Sequence, residues 1–204
     1  MLEVKGFLVH KGYLDPAAQA EMAAEVAAVA AAAPFFTPIT PWGKPMSVAM
    51  TSAGRYGWFT DRSGYRYVER HPSGSPWPPV PATVLAVWTA LVSAQREPDC
   101  CLVNRYAGTA KMGLHRDADE QDFAWPVLSI SLGDAAVFRM GGPSRKDPTT
   151  TVLLESGDVV VFGGPARLAY HGIDRIRAGS SRLLPEGGRI NLTCRVVDAG
   201  PGLA

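Results

Sequence analysis

From Asp99 to Val197 the chain is a succession of short alternating segments, each closed by a turn signal, and this pattern restricts the fold more than any other feature. Cys101–Tyr106, Val127–Leu132, Ala135–Met140, Thr150–Leu154, Asp158–Phe162 and Arg189–Val197 read as strands. Gly141-Gly142-Pro143, Gly157 and Gly163-Gly164 punctuate them. Ser129 and Ser131 alternate with apolar neighbours in one strand, and the last strand alternates cleanly over its length. Many short strands of this kind pack as a sandwich or double-sheet jelly roll, because each has an apolar face to bury. At 204 residues the chain reads as one domain, 1–204, with the β core at about 99–197. A chain of this size buries about 70% of its unfolded surface, so it needs neither disulfide nor metal to fold. Any metal must therefore be justified by chemistry.

The first half supplies helices and loops. Asp15 and Pro16 form a helix start, an N-cap and a first-turn proline, ahead of the alanine-rich Ala17–Ala33 that Pro34 stops. Thr83–Arg96 reads as a second helix, with Val84, Val87, Trp88, Leu91 and Val92 on one face. Between them, 37–81 is rich in Pro, Gly and aromatic residues and reads as turns and short strands, a kind of segment that often carries function. There is no internal repeat, and low complexity is confined to the last few Gly, Pro and Ala residues.

Composition narrows the partners. Lys plus Arg is 20 against 19 for Asp plus Glu, and this net +1 lacks the bulk basic signature of a histone-like binder while leaving room for a local basic groove. No run of about 18 apolar residues offers a membrane span. Glu3, Lys5, His10 and Lys11 interrupt any signal-like apolar core. Cys100, Cys101 and Cys194 are odd in number with two adjacent, which argues against a secreted disulfide framework and for a reducing compartment. The expectation is a cytoplasmic monomer with no membrane and no obligate protein partner.

His115-Arg116-Asp117 opens the chemistry. On a strand, residues two apart share a face, so His115 and Asp117 would point at one ion. The plain alternative is a surface pair, since His-x-Asp arises often by chance. His171 follows beyond the Gly163-Gly164 turn. Two His and one carboxylate make the facial triad of non-haem Fe(II) oxygenases, which leaves three coordination positions open. Two of these can chelate an oxo-acid and the third can bind oxygen. An oxo-acid with two carboxylates calls for buried cations. Arg189, Asn191, Thr193 and Arg195 share one face of the last strand, and Ile190, Leu192 and Cys194 share the other. If the first face turns inward, its arginines need anionic partners, and their planar forks suit carboxylates. If it turns outward, they are solvated arginines on an exposed sheet. His10 and His71 fall outside this constellation and read as surface or lid histidines, while the three cysteines read as buried strand residues.

Taken in order, Asn104-Arg105-Tyr106, His115-Arg116-Asp117, His171 and Arg189-Ile190-Asn191-Leu192-Thr193-Cys194-Arg195 resemble the AlkB family of Fe(II)- and 2-oxoglutarate-dependent dioxygenases. The resemblance runs from about Trp58 to Arg195 and continues more weakly toward the N-terminus. It extends to Leu114, Asp119-Glu120, Gly141-Gly142, Arg145, Asp147-Pro148 and Gly157-Asp158-Val159-Val160-Val161, as in the bacterial DNA-repair branch. It implies one catalytic domain, α+β but mainly β: a double-stranded β-helix (jelly roll) with flanking helices and an N-terminal nucleotide-recognition lid at about 37–81. It implies Fe(II) ligation by His115, Asp117 and His171, also the catalytic residues, and binding of 2-oxoglutarate by Arg189 and Arg195 with Asn104, Tyr106, Asn191 and Thr193. O2 is the other co-substrate. Which arginine takes which carboxylate stays open. Phe162 stands where close bacterial relatives would carry Trp, a packing change near the co-substrate.

The same resemblance implies oxidation of an N-methyl group to an unstable hydroxymethyl group that leaves as formaldehyde, with succinate and carbon dioxide as the other products. The substrate would be a base of the 1-methyladenine or 3-methylcytosine type in single-stranded or damaged DNA, or in RNA. Trp58 aligns with the family's stacking position and Asp119 with its base-contacting acid. Read from the residues alone, Trp58 is equally an aromatic of the lid's own core and Asp119 an ordinary loop carboxylate. Tyr65 and Arg145 are placed to contact the substrate strand or to stand on the surface. Arg62 and Arg66 flank Tyr65 as a small basic-aromatic patch of the kind that binds single strands. The competing readings are a dioxygenase of the same family acting on protein or another substrate, a non-catalytic nucleic-acid-binding module, and a structural Zn or Mn site. The intact triad and both arginines count against the last two.

Overall fold

The fold is that of a computed structural model, which describes residues 1–198; the Gly-, Pro- and Ala-rich tail lies outside the described residues. In chain order the elements are β1 (Leu2–Val4), β2 (Phe7–His10), α1 (Pro16–Ala32), β3 (Ala49–Gly54), β4 (Gly57–Asp61), β5 (Gly64–Val68), α2 (Ala82–Leu91), β6 (Cys100–Tyr106), β7 (Met112–His115), β8 (Val127–Gly133), β9 (Ala135–Met140), β10 (Thr150–Leu154), β11 (Val159–Phe162), β12 (His171–Arg177) and β13 (Arg189–Arg195). Seven strands form a major sheet in the order β1-β2-β11-β8-β13-β6-β3, and β10-β9-β12-β7 form a minor sheet. Strands β4 and β5 make a separate hairpin. Every pairing is antiparallel, which gives the jelly-roll layout expected from the alternating segments.

Two apolar layers hold this arrangement. Between the sheets, Phe7, Tyr106, Val127, Phe138, Met140, Val160 and Phe162 pack together. On the outer face of the major sheet, α1 and α2 bring Met22, Val26, Val29, Val84, Val87 and Trp88 onto Leu128, Ile130, Leu192 and Cys194. Strand β13 lies centrally, between β8 and β6, and all seven of its residues are buried. Its apolar set faces the helices, so its polar set, Arg189 to Arg195, turns into the space between the sheets. The inward alternative for those arginines is the one the fold adopts.

The helix start expected at Asp15 is present: its carboxylate accepts from the Ala18 amide at 2.8 Å, and Pro16 is the first helical residue. The second helix ends at Leu91, short of Arg96. The Ser93 hydroxyl accepts from the Gln95 and Arg96 amides at 3.0 and 3.3 Å, and such local bonds compete with the helical ladder. Asp158 also falls outside its expected strand. Its carboxylate binds Lys11, the Gly12 amide and the Glu155 amide, tying the N-terminal segment to the core. The β framework reaches beyond 99–197, because β2 pairs with β11 and β3 pairs with β6. Within 37–81, therefore, Ala49–Gly54 belongs to the major sheet, and the β4–β5 hairpin is what stands apart from it. Among the described residues, no helix is long and apolar enough to cross a membrane.

Leu192 is fully buried between β13 and the helices. Leu192→Ala should lower unfolding free energy by about 2–5 kcal/mol in urea titration, whereas Leu2→Ala, at an exposed position, should stay within about 0.5 kcal/mol.

Candidate active site

His115 ends β7 and His171 begins β12, and the two strands pair with these residues opposite each other. Antiparallel register thus joins two histidines far apart in sequence, with ring centroids 4.6 Å apart. Gly172 permits the close pairing, since a Cβ there would lie 2.6 Å from the Met112 carbonyl oxygen and 2.8 Å from that of Gly113. Each ring engages a main-chain carbonyl through Nδ1, His115 with Gly113 at 2.9 Å and His171 with Ala169 at 3.0 Å. A carbonyl accepts only from N–H, so each ring keeps its Nε2 lone pair for the centre of the site.

Asp117 arrives differently from the same-face expectation. Strand β7 stops at His115, and Asp117 lies in the loop that follows. Arg167 fixes that loop by donating from Nη1 to the Asp117 carbonyl at 2.8 Å, and Arg195 Nη2 pairs with Asp117 Oδ1 at 2.9 Å. The carboxylate lies 3.9 Å from His115 Nε2 and 3.7 Å from His171 Nε2. One ligand atom from each of the three residues falls within 4.8 Å of the others. Asp117 Oδ2 is buried with no hydrogen-bond partner among the described residues. Two imidazole nitrogens and a buried carboxylate oxygen directed at one point fit a divalent iron ion. Burial alone would raise the Asp117 carboxyl, but Arg195 and the two imidazoles overcome it and hold it well below the usual carboxylate range. Burial, reinforced by His115, pushes His171 down to about 4. At neutral pH it is therefore uncharged, as a metal-binding imidazole must be.

Strand β13 forms the facing wall, and its two arginines are not equivalent. Arg189 is 1% exposed and donates from Nη2 to Ser131 Oγ at 2.9 Å. Its Nε and Nη1 have no partner among the described residues, and its guanidinium lies over the Tyr106 ring at 5.4 Å. Burial lowers the Arg189 pKa, and two free donors on a buried cation suit an incoming carboxylate. Arg195 is already engaged, by Asp117 and by Glu120 Oε1 at 3.3 Å from Nε, and its Nη1 donates to the Tyr67 hydroxyl at 3.4 Å. Despite burial, Asp117, Tyr67 and Glu120 hold it well above the usual arginine pKa. Between the arginines, Asn191 Nδ2 donates to Ser129 Oγ at 2.8 Å and to the Ile130 carbonyl at 3.0 Å, and Thr193 Oγ1 donates to Asn191 Oδ1 at 3.0 Å. Asn104 is buried on the adjoining β6, with Oδ1 unpartnered among the described residues.

All the site residues expected from the sequence line one cavity of about 640 Å³. Tyr65 and Arg145 are exposed as well, which places them at its mouth. There Trp58 stacks on Tyr65 at 5.4 Å with a 22° tilt, and its Nε1 donates to Asp119 Oδ2 at 2.9 Å. Phe162 packs against His171, with ring centroids 4.8 Å apart. His71 is buried in the lid segment, its ring nitrogens meeting Ser73 Oγ and the Pro34 carbonyl.

Three participants escaped the sequence. Glu120 is buried, accepts from Tyr67 at 2.7 Å through Oε1, and meets Arg167 Nη2 at 3.2 Å through Oε2. Nothing local marks Arg167 or Tyr67 as its partners. The alternation of Ser129 and Ser131, which accept from Asn191 and Arg189, was the legible signal of a polar floor on the adjoining strand.

A profile of the 2OG-Fe(II) oxygenase superfamily matches residues 6–195. With the triad described above, this defines an Fe(II)- and 2-oxoglutarate-dependent dioxygenase that uses O2 as its other co-substrate. The chain is 58% identical to the alpha-ketoglutarate-dependent dioxygenase AlkB homolog of Caulobacter vibrioides over 94% of its own length and 88% of that protein's. It is 46% identical to alpha-ketoglutarate-dependent dioxygenase AlkB of Escherichia coli over 82% of its length and 79% of that protein's. The solved structure of OsALKBH1 superposes with a TM-score of 0.80 at 30% identity, covering 96% of this chain and all of that one. The chain belongs to the AlkB family of this superfamily.

Glu120 separates two buried cations, so Glu120→Ala should cost about 3–5 kcal/mol of stability by leaving Arg167 without its carboxylate and Arg195 with Asp117 alone. Arg175→Ala, which removes an exposed partner of Asp174, should cost less than about 1 kcal/mol. Urea unfolding monitored by circular dichroism reads both.

Proposed function

We propose that the protein is an oxidative demethylase of N-methylated bases, of the 1-methyladenine and 3-methylcytosine type, in single-stranded or damaged DNA or in RNA. The observation that carries this reading is the pairing of Trp58 with Asp119 at the mouth of the triad's cavity. Methylation at N1 of adenine or N3 of cytosine makes the base cationic, and an aromatic face beside a carboxylate favours a cation over the neutral base. Trp58 donates to Asp119 from its ring edge, so the carboxylate is held beside the indole. Tyr65, stacked on Trp58, and Arg145 would contact the strand that carries the base. Because the cavity admits a base only once it has left its stack, unpaired nucleotides are the favoured targets.

In this reading His115, Asp117 and His171 hold Fe(II). When bound, the iron couples oxidative decarboxylation of 2-oxoglutarate by O2 to hydroxylation of the methyl group. The Nδ1 contacts of the two histidines fix their tautomers and aim Nε2 inward, while Arg195 and Arg167 hold Asp117 in place. Arg189, with two free donors, takes the distal carboxylate of 2-oxoglutarate over the Tyr106 ring. Arg195, tied to Asp117, would meet the other end of the co-substrate. Asn104, Asn191 and Thr193 line the polar wall between them. The β4–β5 hairpin serves as the substrate side of a recognition lid. The three cysteines are buried and free, which supports a cytoplasmic setting.

Mass spectrometry of a single-stranded oligonucleotide carrying one 1-methyladenine, incubated with protein, Fe(II), 2-oxoglutarate and air, tests this reading. One methyl group should be lost, and His115→Ala should abolish the loss. Turnover of 2-oxoglutarate to succinate with the oligonucleotide unchanged would leave the iron site standing and remove the substrate assignment. Asp119→Asn should lower kcat/KM about tenfold on the cationic lesion, checked by steady-state kinetics on the same oligonucleotide.

A further inference from the structure

We propose that Trp42 is a stacking platform for the nucleobase that neighbours the target base, and so a residue that makes the enzyme prefer a strand to a lone nucleotide. This rests on the nucleic-acid reading above and adds a second aromatic contact outside the target-base pocket.

Trp42 is 78% exposed, yet it lines the same cavity as the triad. Its ring has no aromatic or cationic partner among the described residues. Tyr65, the other exposed aromatic of that mouth, already lies against Trp58. An indole left open to water at the rim of a binding cavity offers a face to a planar ligand.

The backbone that carries the residue is held by hydrogen bonds. Pro41 and Trp42 occupy the two central positions of a turn closed by the Gly43 amide donating to the Thr40 carbonyl at 2.8 Å. The Thr40 amide donates to the Lys44 carbonyl at 2.8 Å, and the Lys44 amide donates to Thr40 Oγ1 at 3.1 Å. Below the turn, Ile39 bridges to Pro45 and the Met46 amide donates to the Pro38 carbonyl at 2.9 Å. The backbone of the turn is thus hydrogen-bonded without any ligand, so stacking on Trp42 fixes a side chain and not a whole loop.

Charge selects the ligand. Arg145 lines the cavity, and Lys44 and Arg62, both exposed, lie on and beside the turn that carries Trp42. The Arg62 guanidinium lies 3.9 Å from where a Cβ on Gly43 would be, so the turn that carries Trp42 and the tip of the β4–β5 hairpin are neighbours. A flat aromatic beside exposed cations matches a base joined to its phosphate, the combination on which single-strand binding depends. When the target base enters the cavity past Trp58, its neighbour in the strand remains at the rim.

The test compares wild type, Trp42→Ala and Trp42→Phe on a five-nucleotide single strand with central 1-methyladenine and on 1-methyl-dAMP. Trp42→Ala should raise the KM ratio of oligonucleotide to mononucleotide about tenfold, as expected for the loss of one stacked base, and Trp42→Phe should restore most of it. Replacing the flanking nucleotide with an abasic one should impose the same penalty on wild type and almost none on Trp42→Ala. An unchanged ratio in Trp42→Ala overturns the proposal, and so does full additivity of the abasic and Trp42→Ala losses. Equal losses on both substrates would make Trp42 a structural element, which also overturns it. If wild type demethylates neither substrate while still turning over 2-oxoglutarate, the nucleic-acid reading has failed, and this proposal falls with it.

Discussion

The buried pair between Arg195 and Asp117 is the contact on which the site depends. An isolated ion inside a protein is costly, and a buried pair is tolerated only when the remaining hydrogen-bonding capacity is satisfied. Here Glu120 and Arg167 add opposite charges, Tyr67 adds a hydroxyl, and the four charges cancel among themselves, while Asp117 Oδ2 keeps its lone pairs free among the described residues. The same contacts do positional work. Arg195 comes from the central strand of the major sheet, Asp117 from the loop after β7 in the minor sheet, and Tyr67 from the β4–β5 hairpin. One cluster of charges therefore fixes three separate pieces of chain around the metal-binding point.

That cluster can exist because β13 is amphipathic by period two and buried on both faces. Its apolar side is covered by α1 and α2, whose packing carries stability that the polar side does not. Between the sheets, Phe7, Phe138 and Phe162 surround His171 at ring-centroid distances of 6.1, 5.9 and 4.8 Å and give its ring an apolar setting. Stability and chemistry are thereby assigned to opposite faces of the same strands. A change at Leu192 and a change at Asn191 lie one residue apart and act on different properties.

Where local spacing carries the information, the sequence was legible. The Asp15-Pro16 helix start, the strands Ala135–Met140 and Thr150–Leu154, and the alternation of β13 all follow from neighbours in the chain. The His115–His171 contact does not, since it depends on the register between β7 and β12. The count of two histidines and one carboxylate suggested it, and the ordered set of motifs that resembles a known family supported it. Asp117 shows the limit from the other side. Its role was anticipated on the assumption of a strand, whereas its position is set by Arg167 and Arg195, both distant in sequence. Glu120 stood inside a recognised motif without a partner to reveal its part.

The difference between the two arginines follows from the same electrostatics. Arg195, Asp117, Glu120 and Arg167 are already neutral as a group, so none of them offers an unmatched charge to an incoming anion. Arg189 lies outside that group: it touches Ser131 Oγ and the face of Tyr106, and Asp158 attracts it without a direct ion pair among the described residues. It is the one cation of the β13 wall whose charge is not already matched by a paired carboxylate. A buried guanidinium in that condition is costly by itself and is stabilised by a bidentate carboxylate. In the proposed reading, the energetic cost of burying Arg189 becomes selectivity for an oxo-acid with a second carboxylate, since a monocarboxylate would leave that guanidinium unmatched.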